Sequence, residues 1–301
     1  MRSKKRNNNG LKIFVSILAI LVIGILGYIY SIYANVKDSM DTAYTPVEVE
    51  TFRTSNTGTV ADSSEDEESR TNAGAMTPSE LLEAGEPVSI LLLGVDTGDL
   101  GRTEQGRSDS MVVVTINPHT QKTTLLSIPR DTYTEIVGYG TSDKINHAYA
   151  FGGTAMSINT VQQMLDIPID FYVMVNMAGI QEIVDAVGGI TVESPLTFNQ
   201  NGYDFVQGTN QLDGEAALAF ARMRYEDPAG DTGRQGRQRL VIEAVIRKLA
   251  TPETLLNYQT ILQSLSSNVQ TSFQLSDFYT LQSQDYLGAV DNMNQQQLGG
   301  T

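Results

Sequence analysis

The sequence predicts an α/β fold: a single αβα-type domain with a mixed central sheet over residues 87–290, preceded by one transmembrane helix. Three observations carry that prediction. Strand-length apolar runs interleave with stretches of helical period between Pro87 and Val290. Two of the strands are separated only by a short polar turn, so the sheet cannot be purely parallel. Ile13 to Tyr33 form an uncharged apolar run of the roughly 20 residues that a bilayer-spanning helix needs.

Taken in order, residues 1–12 are basic, and Arg2, Lys4, Lys5 and Arg6 should stay on the cytoplasmic side, leaving the rest of the chain outside the cell. The apolar run is longer than the core of a cleaved signal peptide, and "SIYANV" is a poor cleavage site, so 13–33 is read as an uncleaved anchor. Residues 34–86 read as an extracellular acidic linker without apolar periodicity, in which "AYTPVEVETF" is taken as solvated rather than docked. "VSILLLGV" (88–95) is a buried strand ending in Asp96 and the loop "TGDLG". "SMVVVTINPHTQKTTLLSIPRD" reads as two strands with a turn at residues 117–120. A helix over 154–165 and a strand in "DFYVMVNM" follow. In "AGIQEIVDAVGG" the apolar residues Ile180, Ile183, Val184 and Val187 share one helical face, and Gly188 and Gly189 stand where a helix ends. Further helices are expected at 213–221 and 237–250, with "EDPAGDTG" as the loop between them, and the chain to Val290 reads as helical. Residues 291–301 read as a frayed tail.

The charge balance is acidic, 35 Asp and Glu against 20 Lys and Arg, for a formal net charge of -15. Such a surface repels nucleic acid, which the outward topology also excludes as a partner. Yet "FARMRYEDPAGDTGRQGRQR" (220–239) holds five arginines, which repel one another unless an anion or neighbouring acids offset them. There is no cysteine and only two histidines, His119 and His147, so thiolate metal sites are excluded and histidine-based zinc or triad chemistry has little to work with. No phosphate-binding nucleotide loop, dinucleotide fingerprint or nucleophile elbow is present.

What remains is a set of carboxylates and arginines at strand ends. Asp96 closes the first strand, Arg107 and Asp109 precede the second, and Arg130 and Asp131 close the third. Ligands of α/β sheets bind beyond strand ends, so these groups could meet at one rim. Each aspartate could instead cap a turn or pair locally. Arg222 and Arg224 share a side only if the helix ends near Ala221. Arg234, Arg237 and Arg239 then enter the next helix at its N-terminal end, where cations oppose the helix dipole unless an anion sits among them. Guanidinium forks suit phosphoryl oxygens, and paired aspartates suit Mg²⁺ or Mn²⁺, which leaves a metal-assisted pyrophosphate site outside the membrane, with a lipid-linked pyrophosphate as its natural anion. A structural salt-bridge cluster, in which Glu226, Asp227 and Asp231 offset the arginine charge, is the competing explanation.

The motifs "LLLGVD", "GRSDSM", "SIPRDT", "KINHAYAFGG", "IDFYVMVNMAGIQEIVDAVGGITV", "LDGEAALAFARMR" and "GDTGRQGRQRLVI", in this order, resemble the LytR-CpsA-Psr family of bacterial cell-wall glycopolymer ligases. The resemblance implies a phosphotransferase that moves a glycopolymer of teichoic acid or capsular polysaccharide type from a polyprenyl pyrophosphate carrier to peptidoglycan. It implies that Asp96 and Asp109 hold Mg²⁺, that Arg107, Arg130, Arg222, Arg224 and Arg234 grip the pyrophosphate with Gln238 as a further contact, and that Asp131 and Lys144 support the arginines. Arg237 and Arg239 receive no role. The polyprenyl tail requires an apolar channel between the sheet and its helices, whose lining sequence does not separate from ordinary core. A hydrolase using water as acceptor, or a tethered module that binds without turnover, are the alternatives.

Overall fold

The computed structural model describes residues 34, 41, 43–49, 76–96, 105–251 and 268–299. The basic segment 1–12, the span expected over 13–33, most of the linker, the loop 97–104 and residues 252–267 of the expected C-terminal helices lie outside the described residues. No helix among the described residues is long and apolar enough to cross a membrane.

The chain begins its packed part earlier than residue 87. Helix α1 (Pro78–Glu83) starts at a capping box, in which Thr77 and Glu80 bond each other's backbone and Pro78 occupies the first turn, where its missing N–H costs nothing. It buries Leu81 and Leu82, so the end of the expected linker belongs to the core. The strands β1 (Val88–Val95), β2 (Ser108–Asn117) and β3 (Lys122–Ile128) follow, β1 and β2 pairing antiparallel and β2 with β3 likewise. Asn117 closes the β2–β3 turn by accepting the Thr120 N–H at 3.0 Å. A hairpin, β4 (Tyr133–Ile136) with β5 (Thr141–Lys144), leads into α2 (His147–Leu165). That helix starts seven residues before the expected Thr154 and is broken at Gly152 and Gly153, the latter at φ +66°; the periodicity was legible only after the break.

Next come β6 (Phe171–Asn176), parallel to β1, and α3 (Met177–Ala186), capped by Asn176 through the Gly179 N–H. Short strands β7 (Ile190–Ser194), β8 (Phe198–Gln200), β9 (Tyr203–Phe205) and β10 (Gly208–Leu212) form two small sheets, β7 with β10 and β8 with β9. Helix α4 (Gly214–Arg222) is capped by Asp213, and α5 (Gly230–Leu249) begins inside the segment expected as a loop, so Arg234 already lies on a helix. The expectation of helix throughout to Val290 also fails. Val269–Thr271 form β11, an edge strand antiparallel to β6, followed by α6 (Leu275–Ser283) and a 3₁₀ turn at Gly288–Asp291. The tail expected to fray contains β12 (Met293–Gln297), parallel to β3. Its "MNQQQ" has no apolar alternation because the strand is held chiefly by backbone bonds at a sheet edge, with its side chains half-exposed or exposed.

The central sheet therefore runs β11-β6-β1-β2-β3-β12 and is mixed, as expected. Its faces carry separate cores. Leu91, Leu93, Val95 and Met111 pack with Tyr149, Ile158 and Val161 of α2. Ile90, Val112, Val114 and Ile116 face α1, Phe273, Tyr286 and the partly buried Ile242 and Ile246 of α5. A third core joins α3, α4 and α5 to the small strands. Residues 43–49 also dock. Tyr44 bridges to Thr271, the Thr45 N–H donates to Thr271 O at 2.8 Å, the Tyr172 hydroxyl donates to Thr45 O, and Val47 and Val49 pack against the α2 face. The piece expected to be solvated is a strap around the sheet edge.

Candidate active site

The C-terminal ends of β1 and β3 and the start of β2 share one edge of the sheet, and most of the expected site residues stand there. Ile90, Leu92, Gly94 and Asp96 follow the period of two that keeps one face of a strand, so the last position of an apolar stripe is a carboxylate. Opposite it, Gly94 pairs with Ser110 and Val95 with Ser108, leaving Asp109 as the extra residue of a β-bulge. Bulges re-aim side chains near functional sites. Here the bulge brings Asp109 to the same cavity as Asp96. The Arg107 N–H donates to Asp96 Oδ1 at 2.6 Å and the Asp96 N–H to Arg107 O at 3.2 Å, which fixes the two segments to each other. The Arg107 side chain is exposed beside this edge.

Arg130 donates from Nη1 to Asp109 Oδ1 at 2.8 Å and lies 3.7 Å from Asp131. Burial by itself lowers the Arg130 pKa, but the hydrogen bond and charge of Asp109, with the charges of Asp231 and Asp131, outweigh it and raise the value. Lys144 donates to Asp131 Oδ1 at 2.7 Å. That bond, opposed by a little burial and assisted by the charges of Lys144, Arg130 and Arg224, holds the Asp131 carboxyl below its ordinary range. Asp131 is thus an anion at neutral pH that orients cations, and a weak proton acceptor.

Helix α4 ends at Arg222, and Met223 turns to extended backbone (φ -57°, ψ 135°) with its side chain buried. The helix stops where both arginines require it. Arg222 lines the cavity with Asp96 and Asp109, while Arg224 approaches Asp231 at 4.0 Å. Asp231 also lies 2.8 Å from Arg234 Nη2, an ion pair out of line for a hydrogen bond, and accepts from Gln235 Nε2 at 2.9 Å. Asp231, expected only as one of the acids offsetting the arginine charge, stands within the arginine cluster itself. Its signal was the spacing of three to Arg234 in the first turns of a helix.

The role of Arg237, left open by the sequence, is structural. Its side chain is fully buried. Nε donates to Phe220 O at 3.2 Å, Nη2 to Met223 O and Nη1 to Asp227, and the guanidinium lies 5.5 Å from the Phe198 ring centroid. One planar fork thereby satisfies carbonyls at the end of α4 and ties them to α5, setting Arg222 and Arg224 against Arg234 and Gln238. The Asp227 carboxyl, despite burial that would raise it, is held below its ordinary range by Arg237 and the Ala229 N–H. Arg239 is half-buried, and burial lowers its pKa; its Nε and Nη1 find no partner among the described residues. His147 pairs with Asp143 at 2.7 Å and His119 sits 3.7 Å from Glu86, both away from the cavity.

The cavity has a volume of about 590 Å³ and lies between the sheet and helices α3 to α6. Helix α5 shows its design. Arg234, Gln238, Val241, Val245 and Leu249 form one stripe along the helix, polar at the sheet edge and apolar inward. Val173 and Val175 of β6, Ile180 and Ile183 of α3, and Phe278 and Leu281 of α6 complete the apolar walls, and Ala43 of the strap closes against them. Chemically, the edge can hold a multivalent oxyanion through guanidinium groups. Asp96 and Asp109 supply hard oxygen ligands of the kind that bind a cation jointly with phosphate oxygens. Among the described residues there is no group of three or more acidic or histidine side chains that could hold a metal ion by itself.

Fold and site define an α/β protein that places an arginine-rich rim at the mouth of an apolar cavity. The chain belongs to the LytR_cpsA_psr family, whose profile matches residues 49–301. It is 45% identical over 297 residues, 98% of this chain and 89% of the relative, to the polyisoprenyl-teichoic acid–peptidoglycan teichoic acid transferase TagU of Enterococcus faecalis. The crystal structure of Bacillus subtilis TagU superposes with a TM-score of 0.58 at 43% identity, covering 72% of this chain and 86% of that one. A structure of TagT bound to LI-WTA gives a TM-score of 0.60 at 30% identity, covering 76% and 84%.

Proposed function

We propose that this chain is a membrane-anchored extracellular phosphotransferase that moves a teichoic acid type glycopolymer from a polyprenyl pyrophosphate carrier to peptidoglycan. The observation that carries the reading is continuity. The walls that hold Val241, Val245 and Leu249 end in Arg234 and Gln238, beside Asp96, Asp109 and Arg222, so a lipid tail and its pyrophosphate fit one continuous site. Relatives named as teichoic acid transferases over nearly the whole chain support the same reaction class.

In this mechanism the tail enters the apolar cavity and the pyrophosphate lies at the sheet edge. An acceptor hydroxyl of peptidoglycan attacks the phosphorus that bears the glycopolymer. The new phosphoester bond forms as the pyrophosphate bridge breaks, and polyprenyl phosphate leaves with the bridging oxygen and its electron pair. Arg222, Arg224 and Arg234, with Arg107 and Arg130 on the other side, offset the charge on the transferring group. Asp131 with Lys144, and Asp231 within the arginine cluster, hold those cations in place before substrate arrives. Asp96 and Asp109 would hold Mg²⁺ (or Mn²⁺), which when bound supplies further charge neutralisation at the phosphate oxygens. The hydroxyl proton leaves to a carboxylate or to solvent. Asp131, held anionic by three cations, is a poor acceptor for it.

The test is transfer of a labelled lipid-linked saccharide to peptidoglycan strands by the full chain in detergent, with metal or with a chelator. Transfer that Asp96→Ala and Arg222→Ala abolish is expected. Release of free polymer phosphate in the presence of acceptor would identify a hydrolase instead, and binding without turnover would identify a receptor.

A further inference from the structure

Two aromatic rings on the surface are presented face to face rather than buried. Tyr139, at the tip of the β4–β5 hairpin, and Phe151, in the first turns of α2, stack with centroids 4.0 Å apart and planes 12° apart, yet remain 50% and 39% exposed. Several local features hold them there. Gly138 and Gly140 take positive φ, which lets the hairpin tip turn tightly around Tyr139. The break at Gly152 and Gly153 interrupts α2 immediately after Phe151. The His147 ring meets Phe151 edge-on at 5.7 Å and is itself fixed by Asp143 at 2.7 Å.

The pair is joined to the site by short links. Lys144 of β5 holds Asp131, the Asn146 N–H donates to Arg130 O at 3.2 Å, and Gln105, two residues before Arg107, donates to Tyr149 O at 2.5 Å. It also lies on the α2 side of the sheet, whereas the apolar cavity lies on the α5 side. Phosphoryl transfer places attacking and leaving oxygens roughly in line. With polyprenyl phosphate departing toward the cavity, the nucleophile arrives from the opposite side, where the aromatic pair stands.

We propose that Tyr139 and Phe151, with the polar His147–Asp143 pair beside them, form a saccharide-binding platform for the glycan strand of the acceptor. The inference rests on the transferase reading above and adds the acceptor side of its site. Pyranose rings offer apolar C–H faces that an aromatic face covers, and hydroxyls that His147 and Asp143 meet at the edge. The four-residue strands of the hairpin extend about 13 Å at ~3.3 Å per residue, so the platform holds a sugar some distance along the strand from the reacting hydroxyl. The acceptor is therefore read as a polymer, and short acceptors gain little from the platform.

The experiment uses the full chain in detergent with a labelled lipid-linked donor and uncross-linked glycan strands of graded length, comparing Tyr139→Ala, Phe151→Ala, Tyr139→Phe and Phe151→Tyr. The alanine variants should raise the KM for long strands about tenfold, the effect of losing a well-used aromatic face. The KM for donor, and turnover with the shortest acceptor, should stay unchanged, and the conservative variants should restore wild-type values. Direct binding of long strands without donor should weaken by the same factor, a readout that stands even if the wild-type chain transfers nothing and the transferase reading fails. Unchanged strand binding in both alanine variants, with thermal stability retained, overturns the platform. So does a rise in donor KM instead, which would assign the rings to the incoming polymer.

Discussion

Replacing Arg237 by methionine keeps most of the side-chain length and removes the fork. Asp227, whose side chain is only 5% exposed, then loses its ion pair, and the Phe220 and Met223 carbonyls lose their donors. Breaking a buried ion pair from one side costs about 3–5 kcal/mol. That is a large share of the 5–15 kcal/mol by which domains are typically stable. Urea unfolding of the chain in mild detergent, followed by circular dichroism at neutral pH, should show a loss in that range for Arg237→Met. Arg237→Lys should lose less, because the charge stays while the planar geometry goes. The sign of the pH dependence adds a check. In the wild type the Asp227 pKa is lowered, so its contribution is present above the ordinary value of 3.8 and is lost as pH falls through the lowered one. In Arg237→Met the carboxyl loses the lowering that Arg237 supplies and keeps only that of the Ala229 N–H, so the deficit should shrink on acidification as the carboxyl protonates. Gly233→Ala should reproduce the defect from the other side, since a Cβ there would collide with the Asp227 carboxylate. A loss below about 1 kcal/mol for Arg237→Met at neutral pH would refute the view that this fork pins α4 to α5.

Asp109→Asn should lower transfer by about 10²–10³-fold, the scale for removing one preorganised electrostatic group, with the fold retained by circular dichroism. Val245→Trp should fill part of the cavity and abolish binding of long polyprenyl donors while leaving a water-soluble pyrophosphate analogue bound, as measured by calorimetry. Lys144→Met removes the first cause of the low Asp131 pKa, leaving Arg130 and Arg224 as its facing cations. The acid limb of the pH–rate profile governed by this group, expected below 3.8 in the wild type, should move upward.

Most of the sheet was legible because β1, β2 and β6 are buried on both faces and read as continuous apolar runs. The segments that escaped were those whose order comes from contacts distant in sequence. Nothing local marks "MNQQQ" as a strand; it is ordered because β3 offers an edge. The strap over 43–49 likewise gains its order from Thr271 and Tyr172. Residues at strand ends were readable because chain position alone puts Asp96, Asp109 and Arg130 at an edge. The cavity walls were not, because a valine facing a tail and one facing core are the same residue. Only the continuation of the Arg234–Gln238 stripe into Val241, Val245 and Leu249 separates them. Arg237 was opaque for the opposite reason: a buried structural arginine among site arginines carries no distinguishing local signal.

The strap has a practical consequence. Ala43 is buried at the cavity wall, and Tyr44 and Thr45 are laced to Thr271. If the apolar run 13–33 crosses the bilayer, Ala43 stands ten residues past its end, a reach of about 35 Å at most. The leash would then also supply part of the wall of the apolar cavity. A fragment beginning at residue 76 would retain every charged group at the rim and yet lack Ala43, the strap residue that lines the apolar cavity.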